Sequence, residues 1–444
     1  MSKKIVFIGA GSVIFTRNLV RDVLSFTAFR DCTIALVDIN ENNLALAKKT
    51  VDKIIEAGNY PAKVEATTDR TEALKGADGV LCTIQVGGAK AAFSDVEIPI
   101  NYGVNVTVGD TRGPSGIFRY LRTVPIIMEI CRDIEKYCPE AIFLNYTNPM
   151  GMLCRTMQSE SNVNVTGLCH SVQGTAEMLA EWIGAPMDEV TYLCAGLNHQ
   201  AWYLEYKWNG KDAYPLIKEA VMKPEIYEKE KVRNEMFLHL GYYVTESSVH
   251  NAEYNPWFRK RSDLIEKYGS RGFGWEAGAS ALEWRRQFFQ EDRREKRRQE
   301  EFNKWINGQI DLNRGKEYAA YIFNAVFGDN EMFEFNGNVR NFGLIDNLPE
   351  GCCVEIPVVA SKAGLRTVHV GALPPQLAIL NSINAQCEEL AVEAHLTGDP
   401  RKVFHAVCYD PLTSAVLSLE EIRNMVDEMF QANKEWLPQF KHFS

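Results

Sequence analysis

The sequence predicts an α/β fold in which a parallel, doubly wound sheet is followed by a region of mixed α+β structure. Short apolar runs alternate with amphipathic helical stretches over the first third of the chain, which is the pattern of βαβ units. The first run ends in glycines and leads into a helix, as in nucleotide-binding sheets of the Rossmann type. After about residue 165 strand-rich and helix-rich stretches separate. A chain of 444 residues is long enough for two domains, and we place them at residues 1–165 and 166–444.

The predicted elements of the first domain follow in order. KKIVFIGAG is the first strand, and a helix extends from about Phe15 to Phe26. TIALVD is the second strand, and ENNLALAKKTVDKIIEAG is an amphipathic helix that ends at Gly58. The apolar runs GVLCTIQVGG and AIFLNYTNP complete the series, and Pro149 ends the last one. Ligands of such sheets bind outside the carboxyl ends of the strands, so we expect functional residues there.

The second region has a different texture. The segment VTYLCAGLNHQAWYLEYKWNGK is typical of two strands, and the stretch from about Pro224 to Trp305 is mainly charged helix. Strand and turn signals dominate from Gly337 to about Gly371, and the tail from Pro374 is helical. No low-complexity linker separates the two regions. We therefore expect them to pack directly together, with the functional site in the cleft between them.

Composition excludes some classes of partner. The chain is 46% hydrophobic and 24% charged, with a net charge of −10. Nucleic acids and anionic membranes favour basic proteins, so neither is an expected partner. The RREKRR cluster, Arg293 to Arg298, lies among acidic residues, and a solvated helix face explains it better than a phosphate-binding patch.

Cysteine usage indicates a reducing compartment. The 11 cysteines show no framework spacing, and the chain has no signal-peptide-like start and no apolar run of membrane-spanning length. We expect a cytoplasmic protein with reduced thiols. Cys352 and Cys353 are adjacent in sequence, which favours core packing over a disulfide between them. Reduced thiols also keep Cys169 available as a thiolate ligand.

The glycine turn after the first strand predicts a dinucleotide site. Gly9 and Gly11 allow a tight turn and a close approach of the backbone to a pyrophosphate. Ser12 begins the following helix, whose positive end favours anions. Ile14 stands where the usual pattern has a third glycine, so a purely structural turn is the alternative.

Two later residues extend this predicted site. Asp38, at the end of the second strand, can accept hydrogen bonds from both ribose hydroxyls and would repel a 2′-phosphate, which favours NAD⁺ over NADP⁺. Gln85 follows a later strand and is a candidate for the nicotinamide side. A plain turn at the strand end explains Gln85 equally well.

A thiol and two imidazoles form a second candidate site. Cys169 ends the strand-like run VNVTGLC and His170 follows it, and His199 ends the turn Gly-Leu-Asn-His of a predicted strand pair. Each alone is more often a packed or surface residue than a ligand. A thiolate and an imidazole with open positions left for substrate suit a catalytic divalent metal better than a closed structural zinc site.

Motifs along almost the whole chain resemble glycoside hydrolase family 4, and most of all its α-galactosidase branch. They are GAGSVIF with Asp38, VGDTRGPSGIFRYLR, NYTNPM, GLCHSVQGT, GLNH, VTESSVHNAEYNPWF, NVRNFGLIDNLPEGCCVEIP and HLTGDPRKVFHAVCYDP. The fold that this resemblance implies is similar to that of the lactate and malate dehydrogenases. The NAD-dependent members of the family are exceptions to the two-carboxylate scheme of glycosidases.

The resemblance implies glycoside cleavage by oxidation and elimination. NAD⁺ takes hydride from C3 of the sugar, a base removes the acidified proton at C2, and the glycosidic oxygen leaves C1. Water then adds, and the hydride returns to C3. A divalent metal, Mn²⁺ by the same resemblance, would be bound by Cys169 and His199 and would act as a Lewis acid on the sugar oxygens.

The resemblance also implies roles for further residues. Asn148 would bind a sugar hydroxyl, and Asp110 would raise the basicity of the catalytic base. Tyr254 is the predicted base, although His250 and Glu253 of the same motif are alternatives. A tyrosine ordinarily titrates near pH 10 and would need the metal or another cation close by. His170 is a candidate acid for the leaving group, or it orients the substrate.

The expected substrate is an unphosphorylated α-galactoside such as melibiose. Relatives that act on phosphorylated sugars carry an arginine near the position of Ala92, and Lys90 is expected to point to solvent. A galacturonide or an α-glucoside is the alternative within the family. Outside it, a 2-hydroxy acid dehydrogenase using NAD, or a non-catalytic sugar or NAD sensor, would explain the N-terminal half. Family members commonly form homodimers or homotetramers, which we also expect here.

Overall fold

The computed structural model describes residues 2–269 and 290–440 of the chain. Twelve strands are found there, and they are β1 Lys4–Ile8, β2 Thr33–Val37, β3 Lys63–Thr67, β4 Gly79–Cys82, β5 Ile142–Asn145, β6 Asn164–Leu168, β7 Val190–Leu197, β8 Gln200–Trp208, β9 Lys211–Asp212, β10 Phe333–Arg340, β11 Cys353–Ser361 and β12 Gly364–Thr367. All of them belong to one mixed sheet, in the order β3-β2-β1-β4-β5-β6-β10-β11-β7-β8-β9, with β12 paired to β11.

The helices of the described segments connect and cover this sheet. Those of the first half are α1 Val13–Ser25, α2 Glu41–Gly58, α3 Arg70–Leu74, α4 Gly88–Asn101, α5 Gly113–Tyr137, α6 Met150–Glu160 and α7 Ser171–Ile183. Those that follow are α8 Tyr214–Val221, α9 Pro224–Tyr227, α10 Lys231–Leu240, α11 Ser248–Glu253, α12 Ser262–Tyr268, α13 Glu291–Ile306, α14 Tyr318–Phe327, α15 Pro375–Thr397, α16 Pro400–Cys408, α17 Pro411–Val416 and α18 Leu419–Asn433.

The N-terminal half is the predicted doubly wound sheet. The strands β1 to β6 pair in parallel in the order 3-2-1-4-5-6, which is the Rossmann order. Both faces are covered, because Ile5 and Phe7 pack into one hydrophobic core while Val6 and Ile8 pack into the other. Successive strand residues point to opposite faces, so a strand that is apolar throughout can only be satisfied between two layers of helices.

Local signals place the helix ends close to their predicted positions. The helix α2 ends at Gly58, and Asn59 closes it in the left-handed conformation with φ of +48°. The predicted strand AIFLNYTNP is shorter than expected, since β5 ends at Asn145. The Asn145 amide donates to the carbonyl of Thr147, and its oxygen accepts from the Thr147 amide. This local pairing replaces strand pairing before Pro149 is reached.

The two halves of the chain share one continuous sheet. The strand β6 pairs in parallel with β5 on one side and antiparallel with β10 on the other. The boundary predicted after residue 165 falls inside β6. The division into two domains stays a prediction, and the structure places the junction within a strand rather than in a linker.

The second half contains a hairpin, several helices and the strands β10 and β11, which lie between β6 and β7 in the sheet. The strands β7 and β8 form an antiparallel hairpin whose tip is Asn198 and His199. The predicted helical region includes α10, α12 and α13, and residues 270–289 within it lie outside the described residues. Three basic residues of the RREKRR cluster are exposed on α13, which agrees with a solvated helix face: Arg293, Lys296 and Arg297.

The cysteines behave as the sequence predicts. All eleven lie in the described part of the chain and are free thiols. Cys352 and Cys353 are buried in hydrophobic cores. Among the described residues, no helix combines the length and apolar character that crossing a membrane requires.

Candidate active site

The parallel strands end together at one edge of the sheet. Ile8, Cys82, Asn145 and Gly167 are consecutive register partners across β1, β4, β5 and β6. Three steps between neighbouring strands span about 14 Å. The residues that follow these strands therefore share one edge, where ligands of doubly wound sheets bind.

The glycine turn after β1 is built for close backbone approach. Gly9 has φ of +85°, and a Cβ there would lie 2.8 Å from the carbonyl oxygen of Thr83. The Gly11 amide donates to Oδ2 of Asp38 at 2.7 Å, and a Cβ on Gly11 would lie 2.5 Å from the same oxygen. Both positions exclude a side chain. Ser12 stands at the N-cap position of α1 without a side-chain capping bond, and the first turn of α1 contains no acidic residue. The amide end of this helix can therefore accept an anion.

Asp38 and Gln85 have the exposure that a bound nucleotide would need. Asp38 is half-buried, and its Oδ1 accepts from the Asn40 amide at 2.9 Å. Each carboxylate oxygen retains acceptor capacity for a ribose hydroxyl. Gln85 is exposed after β4, and its side-chain amide donates to the Gly88 carbonyl at 3.4 Å. The arrangement fits a dinucleotide with its ribose at Asp38.

The thiol and the second imidazole meet. Cys169 follows the end of β6, and His199 occupies the tip of the β7–β8 hairpin with φ of +61°. Left-handed φ is uncommon for residues other than glycine, and here it accompanies a ring aimed at the thiol. Nε2 of His199 lies 3.1 Å from Sγ of Cys169.

Hydrogen bonds assign the tautomer of His199. The hydroxyl of Thr111 donates to Oδ1 of Asp110 at 2.8 Å and lies 3.0 Å from Nδ1 of His199. Because the single hydroxyl proton is directed to the carboxylate, the hydroxyl oxygen accepts from Nδ1–H. The lone pair of His199 is therefore on Nε2, which faces Cys169.

Glu246 joins this pair, and the sequence analysis did not identify it. Its Oε2 lies 3.8 Å from Nε2 of His199. The ligand atoms of Cys169, His199 and Glu246 lie within 4.8 Å of one another. A signal did exist, because Glu246 stands four positions before His250 in the motif VTESSVHNAEYNPWF. Nothing in that spacing indicates which way its carboxylate points.

Burial and charge set the ionisation of these three groups. Burial raises the pKa of the Cys169 thiol above its usual range, and the carboxylates of Glu246 and Glu355 add to the shift. Burial lowers the pKa of His199 to about 4, so its imidazole is neutral near pH 7. Burial opposes ionisation of Glu246, but the charges of the two histidines lower the pKa of its carboxyl to about 2. A thiolate at this position requires a compensating cation.

His250 lies between two carboxylates. Its Nδ1 is 2.9 Å from Oε1 of Glu246, and its Nε2 is 3.4 Å from Oδ1 of Asp110. Burial alone would lower the pKa of His250, but the bonds to Asp110 and Glu246 raise it well above its ordinary value. Asp110, His199 and His250 also form a compact group that could hold a cation.

Tyr254 is buried against the hairpin tip. Its hydroxyl lies 3.4 Å from Nδ1 of His199, and the guanidinium of Arg112 lies 4.9 Å from the centre of its ring. Burial raises the pKa of Tyr254 well above its ordinary value, and the Asp110 carboxylate raises it further. The Arg112 cation acts in the opposite direction. The structure thus provides one nearby cation for the predicted base.

Glu253 has a different function from its neighbours in the motif. Its carboxylate accepts hydrogen bonds from the amides of Thr107, Val108 and Gly109, at distances of 2.6 to 3.2 Å. These bonds bind the loop that leads into Asp110. Glu253 is therefore committed to the backbone, which argues against it as an alternative base.

Asn148 lies beside Asp110, whereas His170 points elsewhere. The Asn148 amide donates to Oδ2 of Asp110 at 3.3 Å, and its Oδ1 is buried without a hydrogen-bond partner among the described residues. That oxygen can accept from a ligand hydroxyl. Nε2 of His170 pairs with Glu317 at 2.7 Å, and the His170 ring packs on Phe15 and Tyr146. His170 therefore lies on the nucleotide side of the edge.

The donor set fits a divalent cation. Ligand bonds of about 2.0–2.1 Å to nitrogen and about 2.3 Å to sulfur place adjacent donor atoms about 3.1–3.6 Å apart. The separation of 3.1 Å between Sγ and Nε2 agrees with this range. A neutral imidazole, a cysteine and acidic oxygens at one point suit a transition-metal cation with open positions.

Comparison with known proteins decides the family. The family model described as family 4 glycosyl hydrolase matches residues 4–185, and the model of its C-terminal domain matches residues 194–413. The chain belongs to glycosyl hydrolase family 4. An α-galactosidase of Bacillus subtilis (strain 168) is 41% identical over 444 residues, covering 99% of this chain and 100% of that protein. An α-galactosidase of Rhizobium meliloti (strain 1021) is 38% identical over 451 residues, covering 99% and 90%.

Two solved structures share the fold. A putative glucosidase from Bacillus subtilis is 27% identical, with a TM-score of 0.83 over 97% of this chain and 100% of its own. A 6-phospho-α-glucosidase from gut microorganisms, in complex with NAD and Mn²⁺, is 20% identical, with a TM-score of 0.80 over 99% and 100%. At that identity the likeness shows the fold alone. The predicted resemblance to family 4 and its α-galactosidase branch is confirmed.

The predicted fold class is confirmed as well. A malate dehydrogenase from Plasmodium falciparum, 12% identical, has a TM-score of 0.50 over 91% of this chain and 99% of its own. That likeness concerns the fold only. The two curated relatives reported above, which match nearly the whole chain at 41% and 38% identity, are α-galactosidases, which disfavours the dehydrogenase alternative.

Proposed function

We propose that this chain is an α-galactosidase that depends on NAD and a divalent metal and hydrolyses unphosphorylated α-galactosides such as melibiose. One observation carries the proposal: Cys169 and His199 meet at the sheet edge that also bears the turn of Gly9, Gly11 and Asp38. The two α-galactosidases that are 41% and 38% identical over nearly the whole chain support the substrate class.

Both cofactors have a fitting place in this chain. Bound NAD⁺ would supply a reversible hydride acceptor at C3 of the sugar, and the cation, which we expect to be Mn²⁺, would supply a Lewis acid at the C2 and C3 oxygens. Gly9, Gly11, Ser12 and Asp38 would hold the dinucleotide, with Gln85 at its nicotinamide side. Cys169 and His199 would hold the metal. The fold neighbour in complex with NAD and Mn²⁺ supports this pairing of cofactors.

Residues of the chain would bind the sugar and move its protons. Asn148 would accept a hydrogen bond from a sugar hydroxyl through its unpartnered Oδ1. Tyr254 is the proposed acceptor of the C2 proton, and His250 is the second candidate. Asp110 would orient His250, which it contacts directly, and His199, which it reaches through Thr111.

The departing glycosidic oxygen needs a proton, and His170 is the candidate donor. His170 could donate it to the glycosidic oxygen, or it could orient the substrate. Burial lowers the pKa of His170, but the Glu317 carboxylate at 2.7 Å outweighs this and raises it. A protonated imidazole near neutral pH is consistent with either task.

The part of α4 that would face a sugar phosphate supports an unphosphorylated substrate. Ala92 is buried on α4, and Lys90 on the same helix is exposed. The side chain of Arg122 lies next to Gly87, but its guanidinium donates to Asp95 and Asn433 and is therefore already paired. An α-galacturonidase or α-glucosidase activity is the alternative within the family. We also expect a cytoplasmic homodimer or homotetramer.

A substrate panel tests the proposal. Nitrophenyl-α-galactoside, melibiose, a galacturonide and an α-glucoside are assayed with and without NAD⁺, Mn²⁺ and dithiothreitol. Galactoside cleavage that requires all three additives is expected. Cys169→Ala should lower that activity by more than about 100-fold, because even groups outside the ligand set change metal enzymes by 10- to 100-fold. Cys408→Ala, which removes another partly buried thiol, is the matched control.

Two results would refute the proposal. The first is full galactosidase activity in Cys169→Ala. The second is net NADH production from a 2-hydroxy acid together with no cleavage of nitrophenyl-α-galactoside.

A further inference from the structure

At the proposed metal site, Nε2 of His199 has no proton to donate to the neighbouring carboxylate of Glu246. Nε2 of His199 carries a lone pair, because Nδ1–H donates to Thr111. Oε2 of Glu246 faces that lone pair at 3.8 Å. Two electron-rich atoms directed at one point repel each other unless a cation lies between them.

We propose that Glu246 is a third protein ligand to the divalent cation, so that sulfur, nitrogen and oxygen of Cys169, His199 and Glu246 bind it together. This inference rests on the proposed function and deepens it. The remaining positions of the cation are left to the sugar oxygens and water. Three protein ligands with open positions are typical of catalytic metal sites.

The distances accommodate one ion. Nε2 of His199 is 3.1 Å from Sγ of Cys169 and 3.8 Å from Oε2 of Glu246. All three donor atoms lie within 4.8 Å of one another. Bonds of about 2.0–2.3 Å allow separations from about 3 Å for adjacent donors to about 4.5 Å for opposed donors. A cation can therefore contact all three with only small shifts.

The orientation of Glu246 is fixed by its other oxygen. Nδ1 of His250 lies 2.9 Å from Oε1, and the hydroxyl of Ser247 lies 3.5 Å from the same atom. This leaves Oε2 directed at His199. The backbone of Glu246 has φ of +70°, a conformation that costs energy for a residue with a side chain. Its neighbours hold the carboxylate where a ligand is needed.

Charge balance favours a third ligand. A thiolate alone leaves a divalent cation with one uncompensated positive charge in a mostly buried site. The Glu246 carboxylate neutralises that charge, and a neutral group is far less costly to bury than an ion. Asp110 is less available for this role, because its Oδ1 accepts from Thr111 and lies 3.4 Å from His250, and its Oδ2 accepts from Asn148.

Metal affinity tests the inference without reference to turnover. Mn²⁺ is titrated into the protein, without sugar or NAD, and free Mn²⁺ is followed by its EPR signal. Glu246→Gln should weaken binding by more than about 100-fold, because groups outside the ligand set already change metal affinity by 10- to 100-fold. Glu246→Asp should recover part of the affinity. Asp110→Asn, which removes a carboxylate that reaches His199 through Thr111, should weaken binding clearly less than Glu246→Gln does.

Cobalt gives a second readout that separates this inference from the proposed function. The Co²⁺ protein should show a thiolate-to-metal absorption band that Cys169→Ala abolishes and Glu246→Gln keeps at saturating metal. Wild-type affinity in Glu246→Gln, with the Cys169→Ala loss intact, would overturn only the role of Glu246. An equal loss in Asp110→Asn would also overturn it, since a general charge effect would then explain the result.

Two further outcomes are equally decisive. Unaltered metal affinity in Cys169→Ala would refute the metal site of the proposed function. Melting temperature and NAD binding verify the fold of each variant, and Glu246→Asp decides if Glu246→Gln does not fold. Affinity in Glu246→Asp no better than in Cys169→Ala would then contradict ligation by oxygen.

Discussion

Replacing Glu253 with alanine should destabilise the protein and misplace Asp110. The Glu253 carboxylate accepts hydrogen bonds from the amides of Thr107 at 2.6 Å, Val108 at 3.1 Å and Gly109 at 3.1 Å. Thr107 and Gly109 are buried, whereas Val108 is partly exposed and can bind water instead. The variant therefore leaves two buried amides without this acceptor.

The loss in free energy of unfolding can be worked out from those two amides. A hydrogen bond to a charged group contributes about 1.5–3 kcal/mol, so the expected loss is about 3–6 kcal/mol. Taken as one cooperative unit, a chain of this length unfolds with an entropy of about 0.9 kcal/mol/K. The melting temperature should therefore fall by about 3–6 °C. Activity should fall as well, because the loop that positions Asp110 loses its anchor.

Differential scanning fluorimetry and galactosidase assays measure both effects. Glu253→Gln keeps one acceptor oxygen but loses the charge, and about half of the thermal shift is expected. Glu266→Ala, which removes an exposed carboxylate from α12, should change the melting temperature by less than about 1 °C. A melting temperature of Glu253→Ala equal to that of the wild type would refute the reasoning.

Two further predictions concern protons in and near the site. Burial raises the pKa of Glu355 to about 8, so its contribution to stability is present below its unfolded pKa near 4.5 and is lost as pH rises towards 8. In metal-free protein, the melting temperature of Glu355→Gln should therefore rise relative to that of the wild type by about 1.5 °C per pH unit between pH 5 and 8. Parallel plots of melting temperature against pH for the two proteins would contradict this raised pKa. For the base, cleavage in D₂O should place deuterium at C2 of the released galactose, and Tyr254→Phe should abolish this incorporation at a melting temperature close to that of the wild type; incorporation lost in His250→Gln but retained in Tyr254→Phe would transfer the role to His250.

Much of the fold and part of the site were predictable because their signals are local. Alternating apolar runs in the first third of the chain predicted β1 to β6 and their covering helices. Glycine is required at position 11 by contact with Asp38 within the first βαβ unit, and at position 9 by the close approach of the Thr83 backbone after β4. Cys169 follows a recognisable strand, and His199 occupies a short hairpin turn.

Other parts of the site arise from segments far apart in the sequence. Sequence periodicity did not predict that β10 and β11 would lie between β6 and β7. It also left Glu246 unidentified, because its role depends on contact with a hairpin tip almost fifty residues earlier. Glu253 was a candidate base by motif, and only its contacts with the amides of Thr107 to Gly109 show that it anchors a loop.

The sequence by itself determined the α/β class, the dinucleotide turn and the pairing of a thiol with an imidazole. The first two follow from periodicity and glycine placement, which neighbouring residues encode, and the pairing of Cys169 with His199 was implied by the resemblance to family 4. The tertiary structure alone decided which carboxylates face the pair, which one binds backbone amides, and that His170 turns towards Glu317. Directions of side chains depend on the packing of distant segments, and that packing leaves no periodic trace in the chain.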